Sequence, residues 1–321
     1  MDIIDRTLLF ELSKNCRMSF SDLASKLKIS ANEIGARIRQ MVHDRLILKF
    51  TIVPSSSIFG NDAFLFFRSS IPLVPERVTL LGIQSCVEYI SMSKDHTEGF
   101  SLIHYRNQED LTDVLNHFGQ FHKNFVDLRI FRLQRSPTAI NPYPEMRGTH
   151  VFEKVDWLLL SHLREQGRLS IQELSLRTQI DVEVIADRLH FLRRAGLIEE
   201  TIYINPAQSE KESFTIFCLT LDLLTQLLQD ELEWELGERF KGSFWKSWRV
   251  SDQQVLIIGF FCSSYSEIDK IHNFLSDLAG LKSIESIMGG VTYFFPDFRD
   301  EVLEEKKTHG WFSPEQWVEN Q

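Results

Sequence analysis

Cysteine is scarce: Cys16, Cys86, Cys218 and Cys262 are the four in 321 residues. They are widely scattered and form no C-x-x-C, so neither a zinc site nor a disulfide framework is expected, and a reduced, cytoplasmic protein is the economical reading. Long apolar runs are missing too, which argues against a membrane span. The opening MDIIDRTLLFELSK is acidic and helix-periodic, unlike a signal peptide. There is no Gly-rich phosphate loop, no H-E-x-x-H and no G-x-S-x-G, so no cofactor is implied. His117 and His122 are five apart, a poor spacing for two ligands on one helical face, and no metal is expected. Positive charge is in deficit: 35 Lys and Arg stand against 45 Asp and Glu, a net charge of −10. That balance argues against non-specific nucleic-acid binding by the whole chain.

What is present is organised around Ser19 to Ile47. Leu23 and Leu27 mark a short helix, and Ile34, Ile38 and Met41 a longer one, each with a single apolar stripe at helical spacing. Ser30 is a good N-cap, with Glu33 three residues later completing a capping-box pattern, and Ser19 or Ser21 suits the start of the earlier helix. With Ile34, Ile38 and Met41 inward, the residues pointing away are Asn32, Ala36, Arg39, Gln40 and His43. Small, amide and cationic side chains are what base edges and phosphates require. Residues 1–54 carry nine Lys and Arg against six Asp and Glu, so the basic footprint is local.

The order of elements then gives the fold. A helix over 4–14 precedes the helix-turn-helix. The β-branched stretch Leu46–Val53 follows as a strand pair, the wing of a winged helix spanning 1–60. Over 61–134 the pattern is βαββαβ, the ferredoxin-like split unit, with a turn through Asp95 and Gly99. Residues 135–150 contain three prolines and no periodicity and read as a linker. An offset of 151 then aligns the chain with itself for about fifty residues: Leu8 with Leu159, Leu23 with Leu174, Ile34 with Ile185, Arg37 with Arg188, Leu46-Ile47 with Leu197-Ile198. A second winged helix is predicted over 151–207 and a second βαββαβ unit over 208–296, its last strand running Ile284–Phe294, with Gly289-Gly290 as a bulge or close contact. Residues 297–321 read as an acidic tail whose Trp311, Phe312 and Trp317 look exposed. Trp157, Trp234, Trp245 and Trp248 are expected in the core. The fold class is α+β, with two winged helix-turn-helix domains and two ferredoxin-like domains in tandem.

A winged helix followed by βαββαβ resembles the Lrp/AsnC family of transcription regulators, most specifically in Ile-Ser-x-x-x-Ile-x-x-Arg-Ile-x-x-Met at 29–41 followed by Leu46-Ile47. The resemblance implies a sequence-specific regulator whose partner is double-stranded DNA, with Ser30, Asn32, Arg37, Arg39 and Gln40 as contacts. Arg37 lies beside the core stripe, where a structural hydrogen bond or a phosphate contact is expected rather than base reading. It also implies that the ferredoxin-like domains pair, here within one chain, with a homo-oligomer as a further option. Three departures stand out. Arg45 replaces the small residue usual before the wing, where the second copy keeps Gly196. The effector turn Gly-x-x-Asp is missing from both copies, which predicts little response to ordinary amino acids. The two copies are also fused.

The second copy looks degenerate. Asn32 becomes Glu183, Ala36 becomes Asp187, Arg39 becomes His190, Gln40 becomes Phe191 and His43 becomes Arg194, and residues 151–206 carry seven Lys and Arg against nine Asp and Glu. An alternative class with the same two-domain unit is the sirohaem decarboxylases. They would need His and Arg side chains to hold tetrapyrrole carboxylates, and His96, His104, Arg106 and Arg129 lie on or near the right sheet.

Overall fold

The computed structural model describes residues 1–55, 58, 60–121, 123–134, 152–206 and 213–309. The linker 135–150, His122 and the tail aromatics Trp311, Phe312 and Trp317 lie outside the described residues.

The first unit opens with α1 (Ile3–Lys14), α2 (Phe20–Leu27) and α3 (Ala31–His43). Asp2 and Asp5 close a full capping box on α1. Ser19, not Ser21, caps α2 by accepting from the Asp22 amide. Ser30 caps α3, accepting from the Glu33 amide at 3.1 Å. The Glu33 carboxylate does not complete the expected box but accepts from Arg37. Leu8, Leu9, Leu12, Leu23, Ile34, Ile38 and Met41 are buried together.

The strand pair expected of the wing is not a hairpin. β1 (Ile47–Pro54) pairs antiparallel with β6 (Ile198–Ile204) of the second copy. In the register, Phe50 faces Ile202 and Thr51 faces Thr201. At the 151 offset Ile202 is the counterpart of Thr51 and Thr201 that of Phe50, so equivalent strands meet about a pseudo-dyad. The reason is physical: an apolar strand needs a ladder partner, and the equivalent strand supplies one with matching spacing. The symmetry is reciprocal in the side chains. Arg17 donates to the Gly167 carbonyl at 2.9 Å, and its counterpart Arg168 donates to the Cys16 carbonyl at 2.8 Å.

The first βαββαβ unit comprises β2 (Asn61–Ser69), α4 (Pro75–Gly82), β3 (Val87–Met92), β4 (Glu98–Tyr105), α5 (Gln108–Gly119) and β5 (Phe125–Arg132). Gly99 lies within β4 rather than in the preceding turn, paired with Phe67 and Met92; a Cβ there would lie 2.6 Å from the Ser91 carbonyl oxygen and 2.8 Å from the Phe67 ring, so the position needs glycine. The second copy contributes α6 (Lys154–Glu165), α7 (Ile171–Thr178), α8 (Val182–Arg194) and β6. Then follow β7 (Ser213–Leu221), α9 (Gln226–Arg239), β8 (Phe244–Arg249), β9 (Val255–Cys262), α10 (Tyr265–Ser276) and β10 (Leu281–Gly289).

The expected last strand is two strands. At Gly289-Gly290 the chain leaves the sheet β10-β7-β9-β8, and β11 (Val291–Phe294) joins the edge of the other, β11-β3-β4-β2-β5. A Cβ on Gly289 would lie 2.5 Å from Ser91 Oγ and 3.0 Å from the Phe214 carbonyl oxygen, so the crossing needs glycine. The run Phe64-Leu65-Phe66-Phe67 is buried on both faces of β2, as its continuous apolarity predicts. Phe64 and Phe66 meet Ile216, Ile257 and Trp248 between the sheets. Leu65 and Phe67 meet α4 and α5 through Val78, Leu111 and Phe118.

Two corrections concern the aromatics and the C-terminal segment. Trp234 is 72% exposed on α9, while Trp157 is buried. Residues from 297 onward do not begin a loose tail: α11 (Phe298–His309) is a helix whose Phe298, Val302 and Leu303 join the winged-helix core.

Candidate nucleic-acid interface

Asn32, Ala36, Arg39, Gln40 and His43 all lie exposed on α3, and Ser30 is exposed at its start. Their placement follows from Ile34, Ile38 and Met41 taking the buried stripe. These residues are not equally available. The Ser30 hydroxyl is engaged as the cap. Gln40 donates to the Asp44 carboxylate at 2.8 and 2.9 Å, and His43 Nδ1 lies 3.1 Å from the same group. These contacts hold Asp44 below its ordinary carboxylate range, Gln40 contributing most. Arg39 makes no hydrogen bond or ion pair with the described residues and is the cation the face presents.

Arg37 is turned the other way. Its guanidinium donates to Asp2 at 2.7 Å, to Asp5 at 2.8 Å and to Glu33 at 3.1 Å, tying α3 to the start of α1. The second copy repeats the clamp: Arg188 meets Asp156 at 2.9 and 2.6 Å and Glu153 at 2.7 Å. A contact retained in both copies, one of them with an acidic outer face, serves the fold. The corresponding face of α8 exposes Glu183, Asp187, His190 and Arg194, while Phe191 is half-buried beneath Arg188.

A second polar constellation, which the periodicity did not reveal, lies at the junction of β2–β4, α6, β6 and α11. His104 is 4% exposed and held between Asp62 at 2.6 Å and Glu88 at 2.9 Å. Glu88 also accepts from Arg299 at 3.1 Å and from the Tyr203 hydroxyl at 3.2 Å. Arg299 is 1% exposed and paired with the fully buried Asp297 at 2.5 Å. Arg164 donates to Tyr203 at 2.5 Å and to both oxygens of Asp300. Burial and the neighbouring Arg299 work against a charged His104, but Asp62 and Glu88 prevail and lift it to about 10. Burial likewise opposes the charge on Glu88 and Asp297, and Arg299 nonetheless holds Glu88 well below its ordinary value and lowers Asp297. Glu88, His104 and Asp297 bring ligand atoms within 4.8 Å of one another. The Arg299 guanidinium already supplies a cation to both carboxylates there. The sequence signal for this network was present but faint: Asp62, Glu88 and His104 are ionisable residues beside the apolar runs of their strands.

The four cationic residues considered for tetrapyrrole carboxylates are not gathered. His104 is enclosed as described. His96 occupies a turn, its Nδ1 3.1 Å from the Leu73 carbonyl oxygen. Arg106 is forked onto Asp110 at 2.7 Å by two nitrogens. Arg129 is forked onto Glu285 at 3.0 and 2.7 Å, beside Asp127.

Comparison with known proteins agrees with this geometry. Residues 1–42 match the AsnC-type helix-turn-helix domain. An uncharacterized HTH-type transcriptional regulator of Pyrococcus horikoshii is 37% identical over 70 residues, covering 21% of this chain and 47% of that protein. The chain thus spans about half the length of the curated relatives it matches first. Another such regulator from the same organism is 26% identical over 123 residues, covering 38% of this chain and 82% of its own length. Across the whole chain the fold is similar to that of the siroheme decarboxylase NirDL, with a TM-score of 0.51 at 14% identity, covering 96% of this chain and 100% of that one. Residues 1–42 are therefore an AsnC-type helix-turn-helix domain, and the fold of the whole chain is similar to that of NirDL.

Proposed function

We propose, from an AsnC-type helix-turn-helix on a tandem scaffold, that this chain is a sequence-specific transcription regulator that binds double-stranded DNA through its first winged helix. The observation that carries the reading is the exposed face of α3, where Asn32, Ala36 and an Arg39 unpaired among the described residues stand together, set against Glu183 and Asp187 on the same face of α8. Carboxylates there meet phosphate repulsion, so the second winged helix supports the fold rather than reading DNA. The two ferredoxin-like units pair within the chain and place the two winged helices about a pseudo-dyad. Association of whole chains would build on that unit. Among the described residues no helix is long and apolar enough to cross a membrane, and we place the protein in the cytoplasm.

Selection of bound DNA from a random pool tests the class, since a converged sequence is expected. On that sequence Arg39→Ala should cost about 1–3 kcal/mol and relax base preference, and Arg194→Ala should leave binding nearly unchanged. Equal losses from the two variants would overturn the assignment of a single reading helix.

The full-length likeness to NirDL, solved also in co-complex with an iron-uroporphyrin III analogue, favours a second reading, a tetrapyrrole enzyme. Against it, His104, Arg106 and Arg129 are each already matched by carboxylates of the chain. A coloured complex on incubation with an iron-uroporphyrin would revive it.

A further inference from the structure

Four non-glycine residues among those described hold a positive φ: Lys28 (58°), Arg45 (57°), His96 (58°) and Gln179 (59°). This left-handed conformation crowds Cβ against the backbone and is avoided by most L-residues. Two of the four are cations of the first winged helix, and they flank α3. Lys28 stands two residues before its cap Ser30, and Arg45 two residues after its last residue, His43.

The second copy provides an internal control. The counterpart of Arg45 is Gly196, at φ 65°, where a Cβ would meet nothing within 4 Å. Glycine there relieves backbone strain and answers no steric demand. The first copy keeps a long cation at the same place and bears the strain. Nothing described in the protein makes use of that cation: Arg45 is exposed and its guanidinium has no hydrogen-bond or ion-pair partner among the described residues. The neighbouring Asp44 is engaged by Gln40 and His43 instead. The counterpart of Lys28 is Gln179, which shares the left-handed backbone, so there the two copies differ in charge alone. Lys28 is likewise exposed, with no partner described.

We propose that Arg45 and Lys28 are phosphate contacts that bracket the reading helix, one toward each backbone bounding the major groove. The inference rests on the DNA-binding reading above and adds to it. A helix of 13 residues is about 20 Å long, and the groove is about 12 Å wide. Cations just beyond the two ends of a helix seated in the groove lie outside the stretch that meets base edges, where the bounding phosphates are the groups to contact. Such contacts fix register and affinity without reading sequence.

The test exchanges each residue for that of the second copy, in the full chain, on the selected DNA and on a scrambled duplex. Fluorescence anisotropy is measured across a salt series. Arg45→Gly and Lys28→Gln should each lower the slope of log affinity against log salt by about 0.9, weaken both duplexes alike, and leave the selected sequence unchanged. Arg45→Lys should keep the slope. Because glycine relieves the left-handed backbone, Arg45→Gly should also raise the melting temperature, by about 2 °C. A gain in stability together with a loss in binding is a pairing that a purely structural role for Arg45 would not give. An unchanged salt slope for Arg45→Gly, with tight binding by the wild type, would overturn the inference and leave the parent reading standing. Absence of any salt-dependent binding by the wild type would instead defeat the parent reading.

Discussion

Replacing Arg299 by methionine removes the cation at the centre of the buried junction while keeping most of the side-chain volume. Arg299 is 1% exposed, and its guanidinium lies 2.5 Å from Asp297 and 3.1 Å from Glu88. Glu88 would keep His104 as a partner. Asp297, fully buried, would lose its side-chain cation. Breaking a buried ion pair from one side costs about 3–5 kcal/mol, because the remaining charge is left buried without its counter-charge; of its described partners, the Asp297 carboxylate would keep only the residue-299 amide, at 2.8 Å. At roughly 2 °C per kcal/mol for a chain of this size, the melting temperature should fall by roughly 6–10 °C. Limited proteolysis should show α11 released first, since Asp297 and Arg299 hold its start. The double variant Arg299→Met, Asp297→Leu removes both charges and should recover most of the loss. Differential scanning fluorimetry of the wild type, Arg299→Met, Asp297→Leu and the double variant decides. A loss below about 1 °C for Arg299→Met, or a double variant as unstable as the sum of the single ones, would refute the view that the junction is a coupled ion network.

Two further outcomes follow from the same structure. His104 is held at about 10 in the fold against about 6.5 in an unfolded chain, so its stabilising effect is complete below pH 6.5 and is lost as pH rises through 10. The melting temperature should decline across that window, and His104→Gln should flatten the decline. Glu88 and Asp297, both depressed, give the opposite limb, with stability falling as pH drops below the ordinary carboxylate range. Gly167→Ala would place a Cβ 2.7 Å from the Thr51 amide nitrogen and 2.8 Å from the Phe50 carbonyl carbon. It should destabilise the paired wings by about 1–3 kcal/mol, read as a lower urea midpoint, and a neutral result would show that the β1–β6 contact yields easily.

Much of this architecture was legible because helical period, caps and an exact internal offset all point the same way. Ile34, Ile38 and Met41 fixed which face of α3 is buried, and so which residues face outward. Strand partnership was not legible. Ile47 to Val53 announces that it needs a ladder, but no local property of those residues names β6 as the partner. Likewise nothing before Gly289-Gly290 tells that the next four residues belong to the other sheet. The spacing of Phe298, Val302 and Leu303 did carry a helical stripe, hidden by the acidic composition around it. The outward set on α3 was readable, whereas the engagement of Gln40 and His43 by Asp44, and the turning of Arg37 onto Asp2 and Asp5, depend on rotamers and on a neighbouring helix. The buried network was the least legible part, since Asp62, Glu88, His104 and Arg299 come together only once three strands of one sheet have paired and α11 has packed against them.

Under the proposed DNA-binding function, the pairing of β1 with β6 about a pseudo-dyad has a consequence for the kind of site the protein would recognise. A dimer of identical chains presents the same letters twice, and its sites on DNA are palindromes by necessity. Here the two halves share a frame but are encoded separately, so a change at Arg39 or Arg45 is not copied into His190 or Gly196. On that proposal, a single chain with one reading helix would address a short site that has a direction, and the strand on which it sits would become information. Two chains bound side by side would set their own spacing and orientation, and the arrangement of sites recovered from a random pool would reveal it.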